Sequence, residues 1–134
     1  YNPMILEQIR PFVSILPILT TVNVNTAPPE VLMAALAGLS RSAAASFVQQ
    51  RSTSPIKSLD EITTLLNKMG LAQGVTIDAS LVDVRSQFWL ARTEIRLGRG
   101  IFISSALIQR SQTPLPSGNL TQVIWSRTGK TAIE

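Results

Sequence analysis

The chain has 134 residues, 45% of them hydrophobic, and a formal net charge of +4. This length holds one ordinary domain or two very small ones, and the hydrophobic content can form a core, which excludes a disordered polymer. Cys and His are absent, which excludes thiol catalysis, histidine acid–base chemistry and the usual zinc ligand sets.

The positive charge is concentrated in the C-terminal part of the chain. Residues 1–81 hold five basic and five acidic side chains, whereas residues 82–134 hold seven basic and three acidic ones. Scattered arginines on a solvated strand face would account for this excess, and so would an interaction surface for an acidic partner. The sequence also has no apolar run of about 18 residues and no signal-peptide pattern, which predicts no transmembrane helix.

Residues 3–70 show the apolar spacing of a series of short helices. The first, over 3–10, ends at Pro11, and its apolar side chains are expected to be partly buried. Further helices are predicted at 27–37 and 41–51. A last one follows Ser58 and is closed by Gly70.

The segment from Val22 to Leu32, VNVNTAPPEVL, carries residues that typically begin a helix. Asn25 or Thr26 is predicted to cap the free N–H groups of a helix that starts at Ala27. Pro28 lies in the first turn, where no backbone N–H donor is needed. Asn23 and Asn25 flank a valine, which predicts a connection held by side-chain-to-backbone hydrogen bonds. This pattern indicates a rigid joint rather than a catalytic site.

Glycine and serine residues mark the ends of the predicted helices. Gly38 suits the left-handed position that follows a helix, and Ser40 can cap the helix that comes next. Ser58, with Glu61 three residues later, fits the capping box, in which the two residues satisfy each other's backbone N–H groups.

Beyond about residue 72 the apolar period changes from helical toward two. Strands are predicted at 86–97, 101–110 and 120–127, with a hairpin turn at Gly98–Gly100. Helices followed by an antiparallel meander indicate an α+β fold. We expect a helical domain at 1–72 and an antiparallel β-sheet at 73–134.

The two helices joined by Gly38, Leu39 and Ser40 also resemble a helix-hairpin-helix unit, which binds DNA phosphates through backbone N–H groups. That pattern has a second glycine where this chain has Ser40. Residues 1–81 carry no net charge, whereas sequence-independent DNA binding depends on phosphate neutralisation. A nucleic-acid-binding module is therefore the alternative function, and we expect no nucleic-acid partner.

The carboxylates do not form a catalytic pair. Asp60 and Glu61 are neighbours, and on a helix neighbours point about 100° apart. Asp78 and Asp83 are expected to serve turns and caps. Calcium bound by these two is the alternative, although two carboxylates fall short of a usual calcium loop. We expect no other cofactor, no metal and no enzymatic activity.

The motif Val-Asn-Val-Asn-Thr-Ala-Pro at 22–28 is followed by Glu-Val-Leu at 30–32 and Gly-Leu-Ser at 38–40. This combination resembles the signature of the type II secretion minor pseudopilin K family, also called general secretion pathway protein K. Residues 55–59 and 86–89 support the resemblance, which extends over most of the chain. The signature residues are Asn23, Asn25, Thr26, Pro28, Gly38 and Ser58.

The resemblance implies a small SAM-like, helix-hairpin-helix-like bundle, part of a helical insertion, followed by a pilin-type antiparallel sheet. It implies a structural component in the bacterial periplasm, at the tip of a short pseudopilus with minor pseudopilins I and J. There, the bulky helical insertion would stop further subunits from adding. It also implies an inner-membrane anchor helix that covers the sheet. The 134 residues match no such helix, so we expect an exposed apolar sheet face and self-association.

Overall fold

The computed structural model describes residues 2–71, 74–97 and 100–132, with side chains described through residue 129. The chain forms two compact units, Tyr1–Ser86 and Gln87–Glu134. The first contains helices and the second an antiparallel three-stranded sheet. The predicted α+β fold is confirmed.

The first unit has four α-helices within the described residues. They are α1 (Pro3–Ile9), α2 (Pro29–Ala35), α3 (Arg41–Thr53) and α4 (Leu59–Lys68), and a short 3-10 turn, Arg10–Phe12, follows α1. Ser40 caps α3, since its Oγ accepts a hydrogen bond from Ala43 N at 3.2 Å. None of the helices in the described part of the chain has the length and apolar character needed to cross a membrane.

The core of the first unit lies between α2, α3 and α4. Its largest fully buried side chains are Phe47, Leu32, Leu36, Ile62, Leu66, Val24 and Val82. The core residues of α4 recur at i and i+4, which is the spacing of one helix face. Val24 and Val82 come from outside the helices, so the segments around them are fixed by the same apolar cluster.

A short parallel pair of strands, β1 (Val22–Asn23) and β2 (Val82–Asp83), closes the first unit. Val22 N donates to Leu81 O at 2.7 Å, and Val24 N donates to Asp83 O at 2.9 Å. Residues 82–83 were expected in the antiparallel sheet. The structure instead ends the helical unit at Ser86 rather than at residue 72, because burial of Val82 in the helical core holds this strand there.

The apolar side chains of α1 are exposed, contrary to the expectation that they are partly buried. Met4, Ile5 and Leu6 are each more than half exposed, and Ile9 is 43% exposed. Asn2 caps this helix, because its Oδ1 accepts from Met4 N at 3.0 Å. Apolar spacing alone predicted the helix correctly, but it did not predict what the helix packs against.

The second unit is an antiparallel sheet with the strand order β3-β4-β5. The strands are β3 (Phe88–Leu97), β4 (Gly100–Arg110) and β5 (Thr121–Ala132), and a bulge interrupts the β4–β5 register between Leu107 and Ile108. The three strands confirm the predicted meander, and β5 extends beyond its predicted end at 127. The predicted turn at Gly98 and Arg99 lies outside the described residues.

Candidate functional site

Among the described residues of the first unit, the side chain of Asn25 makes hydrogen-bond contacts with two other segments of the chain. Its Nδ2 donates to Ile56 O at 2.8 Å, and its Oδ1 accepts from Ile56 N at 2.9 Å. Nδ2 also contacts Val84 O at 3.4 Å. The amide therefore pairs with the backbone of Ile56 as a neighbouring strand would, and it joins three segments that are distant in sequence.

Asn23 shapes the chain immediately before Asn25. Its Oδ1 accepts from Asn25 N at 2.9 Å, which closes a tight turn, and its Nδ2 donates to Ser86 Oγ at 2.9 Å. Both asparagines are half-buried, and the side chain of each forms hydrogen bonds with the backbone or with a loop residue. The predicted connection around buried Val24 is present, and we call Asn23, Asn25 and their partners the asparagine joint.

Arg51, in the last turn of α3, completes the asparagine joint. Its guanidinium donates to the carbonyl oxygens of Val24 and Ala27, the two residues that flank the turn. Burial lowers the pKa of this half-buried guanidinium. Sequence reasoning missed Arg51, because a basic residue in a last turn ordinarily indicates only a favourable interaction with the helix dipole.

The predicted capping role of Asn25 and Thr26 is wrong. The helix begins at Pro29 with Pro28 as the capping residue, and no side chain caps it. Thr26 is exposed, and its hydroxyl donates to Asn23 O at 3.4 Å. A turn closed by Asn23 O separates Thr26 from the helix start, so the two side chains cannot reach the first N–H groups of α2.

Gly38 occupies the left-handed region with φ +89°, as predicted. A Cβ at this position would collide with the carbonyl oxygen of Gly74. Thr76 N donates to Ala37 O at 2.9 Å, so the segment after α4 packs on the α2–α3 connection. A carbonyl oxygen at this position repels a phosphate, which removes the support for a helix-hairpin-helix DNA site at Gly38.

Ser58 caps α4 as predicted, since its Oγ accepts from Glu61 N at 3.3 Å. The return bond of the capping box is displaced by one residue. Glu61 Oε2 accepts from Lys57 N at 2.8 Å instead of from Ser58 N. Both Ser58 and Glu61 therefore serve the helix terminus.

The acidic residues considered as calcium ligands are engaged in local turns. Asp78 Oδ1 accepts from Ser80 Oγ at 2.7 Å and from Ser80 N at 2.8 Å, and these bonds lower the pKa of Asp78. Asp83 Oδ1 accepts from Val84 N at 2.6 Å. Within residues 2–71, 74–97 and 100–132, no three His, Cys, Asp or Glu side chains are grouped closely enough to hold a metal.

An open pocket of about 300 Å³ lies between the end of α3 and the face of α4. Its lining includes Gln50, Pro55, Lys57, Glu61 and Lys68. The only carboxylate among its described lining residues is Glu61, which already accepts the Lys57 N–H.

The second unit presents a different kind of surface. Among its described side chains only Leu107 is buried, and several large apolar residues are exposed, namely Trp89, Leu90, Ile95, Leu97, Leu120 and Val123. Residues 87–134 hold six basic and two acidic side chains, so they account for the whole net charge of +4. The Arg127 guanidinium lies 4.7 Å from the centre of the Trp125 ring. Exposed apolar area bordered by positive charge is typical of a protein-binding surface.

Comparison with known proteins gives one family. Residues 22–85 match the model of the family described as "Type II secretion system (T2SS), protein K". The matched range begins with β1, includes the asparagine joint and ends one residue before the boundary between the two units. No curated protein matches the chain.

Proposed function

Since the chain belongs to the type II secretion system protein K family and is a pseudopilin of that system, we propose that it caps and initiates the pseudopilus. In this role it is a structural minor pseudopilin that acts in the periplasm. The observation that carries the proposal is that the family match, 22–85, lies within one compact folded unit, Tyr1–Ser86, and ends one residue before it does.

The size of the helical unit supports a capping role. A compact unit of the length of Tyr1–Ser86 has an expected radius of gyration of about 12 Å. Its core is closed by the asparagine joint and by Arg51, so it forms a rigid obstacle rather than a flexible loop. We assign it as a SAM-like bundle, which is supported by the close α2–α3 connection at Gly38.

The second unit supplies the partner contacts in this proposal. Minor pseudopilins I and J would bind its exposed apolar and basic surface. The helical unit, with six basic and six acidic side chains, offers no comparable net charge. Because area buried at such contacts stabilises association, the exposed side chains of β3 and β5 are the first candidates.

The proposed role involves no chemical reaction. Among the described residues, Arg51 and Asp78 have shifted pKa values, and both side chains hold backbone or turn structure. Perturbed groups of an active site are instead directed at a cleft. The asparagine joint is accordingly a structural signature of the helical unit.

The experiment replaces the natural protein in secreting cells with a variant that lacks residues 22–85. Pseudopilus length is measured by electron microscopy, and co-purification with pseudopilins I and J is measured in parallel. We expect abnormal length or failed initiation, with co-purification retained. The matched control is Lys68→Ala, an exposed residue of α4, which should leave both unchanged. Pseudopili of normal length and number in the deletion strain would contradict the capping role.

A further inference from the structure

Strand β3 is an edge strand of the sheet that the described residues form. It lies at one end of the order β3-β4-β5. Its ten residues, FWLARTEIRL, include no proline or glycine, and its pairing with β4 runs without a register shift. Natural edges usually carry a proline, a bulge or a covering segment, because a regular edge is a template for another strand.

The pairing of β3 with β4 determines which backbone groups of β3 point to β4 and which point to the free edge; we call this alternation the hydrogen-bond phase. Arg110 N donates to Gln87 O at 2.8 Å, so these opposite residues form a directly bonded pair. In an antiparallel ladder bonded and non-bonded pairs alternate. The backbone groups of odd-numbered residues therefore point to β4. Those of the even-numbered residues Phe88, Leu90, Arg92, Glu94 and Arg96 point to the free edge.

This phase restricts how a second β3 strand can add to the edge. In an antiparallel, two-fold arrangement, even-numbered residues must pair with even-numbered residues. An axis at Arg92 would bring Arg92 opposite its own copy, and an axis at Glu94 would do the same for that carboxylate. Like charges directly opposite each other destabilise a sheet. Both registers are therefore disfavoured.

An axis at Thr93 allows the backbone hydrogen bonds to form and also places opposite charges against each other. Arg92 then lies opposite Glu94 of the second copy, and the symmetry gives this pair twice. Glu94 is already bonded to Arg96 of its own strand, with Nε to Oε1 at 2.9 Å. The pairing would cover 89–97, nine residues of β3, whereas an axis at Ile95 would cover only 93–97.

The opposite face of the same pairing is free of charge. Trp89 would lie opposite Leu97, Ala91 opposite Ile95, and Thr93 opposite its own copy. Trp89 is 43% exposed, Ile95 57% and Leu97 73%. These would be non-bonded pairs, in which facing side chains approach most closely. Association would therefore remove a continuous apolar row from water.

We propose that β3 is a self-complementary edge through which two copies of this chain pair about a two-fold axis at Thr93. The product is a six-stranded antiparallel sheet made of both copies' three strands. The partner is a second copy because, of the registers that match the backbone, the one with its axis at Thr93 both places opposite charges of the strand against each other and spans most of its length. This inference does not rest on the tip-capping role.

The test begins with a cross-link. The chain has no cysteine, so Thr93→Cys introduces a single thiol on the proposed axis, where opposite residues lie within disulfide reach. We expect a covalent dimer on mild oxidation. Ser126→Cys places an equally exposed thiol on β5, away from the β3 edge, and should leave the chain monomeric on a denaturing gel.

The register is tested by charge reversal in sedimentation equilibrium, with circular dichroism to confirm folding. Arg92→Glu and Glu94→Arg should each raise the dimer dissociation constant at least tenfold. The double variant should recover most of the loss, because the opposite charges face each other again. Arg127→Glu, on β5, should leave the constant unchanged. A chain that stays monomeric at high concentration would overturn the proposal, and so would a dimer that is indifferent to Arg92→Glu and does not cross-link through Thr93→Cys.

Discussion

The side-chain amide of Asn25 forms the pair of hydrogen bonds with a backbone residue that a neighbouring strand would otherwise form. Its amide donates to and accepts from the same backbone residue, Ile56, at 2.8 and 2.9 Å. Ile56 is buried and lies in the α3–α4 connection, where no strand is available to pair with it. An asparagine is suited to this position because its amide offers both a donor and an acceptor, as a peptide group does.

Asn25→Ala should therefore destabilise the helical unit by about 2–4 kcal/mol, because it leaves both backbone groups of buried Ile56 unpaired. Chemical denaturation of the chain measures this free energy of unfolding. The matched control is Thr26→Ala, which removes one long, exposed bond and should cost less than about 0.5 kcal/mol. Equal effects of the two substitutions would mean that the asparagine joint does not stabilise the unit.

The carboxyl group of Asp78 makes the stability of the folded chain depend on pH. Hydrogen bonds from Ser80 lower the pKa of its carboxyl in the folded chain. A lowered folded pKa means that its contribution is complete above the ordinary aspartate value of about 3.9 and is lost as the pH falls through the folded pKa. The melting-temperature difference between the natural chain and Asp78→Asn should thus shrink on acidification below about pH 4. A difference that is constant from pH 7 to pH 2 would contradict this assignment.

At the scale of elements, the α2–α3 connection depends on close backbone contact. Gly38 has φ +89°, and Thr76 N bonds to the neighbouring Ala37 O. The chain after α4 therefore lies directly on this connection, and a side chain at Gly38 has no space. This contact fixes the orientation of α2 relative to the segment that leads to β2.

Gly38→Ala should destabilise the helical unit by about 3 kcal/mol or more, because the cost of placing alanine in the left-handed region adds to the cost of its collision with the backbone. Gly70→Ala is the matched control: Gly70 has φ +72° but no atom within 4 Å of a built Cβ. Its cost should be only the strain, about 1–2 kcal/mol. Urea unfolding of both variants compares the two, and similar losses would show that the contact with Gly74 is unimportant.

Sequence patterns predicted the local features of these elements but not their long-range partners. The caps at Ser40 and Ser58, the left-handed Gly38 and the three strands depend on neighbours in sequence, and all are present. The pairing of β1 with β2 joins residues sixty positions apart, and no periodicity indicates it. The roles of Asn25 and Arg51 were likewise hidden, because both bond to backbone groups that any residue could provide.

At the scale of the whole molecule, the two units have opposite characters. The helical unit has a closed core and no net charge, while the sheet unit has one buried described side chain and all of the excess positive charge. A unit that buries its apolar residues suits a steric role. A unit that leaves them in solvent suits binding. The proposed function therefore assigns steric blocking to the helical unit and partner binding to the sheet unit.

Binding of the whole chain to a preformed complex of minor pseudopilins I and J tests this account most directly. Titration calorimetry should give a micromolar or tighter dissociation constant. Arg127→Glu, in the sheet unit, should weaken binding at least tenfold, whereas Lys68→Glu, an exposed charge reversal in α4, should leave it unchanged. Absence of binding by the folded chain, or binding lost through Lys68→Glu and retained with Arg127→Glu, would contradict the account.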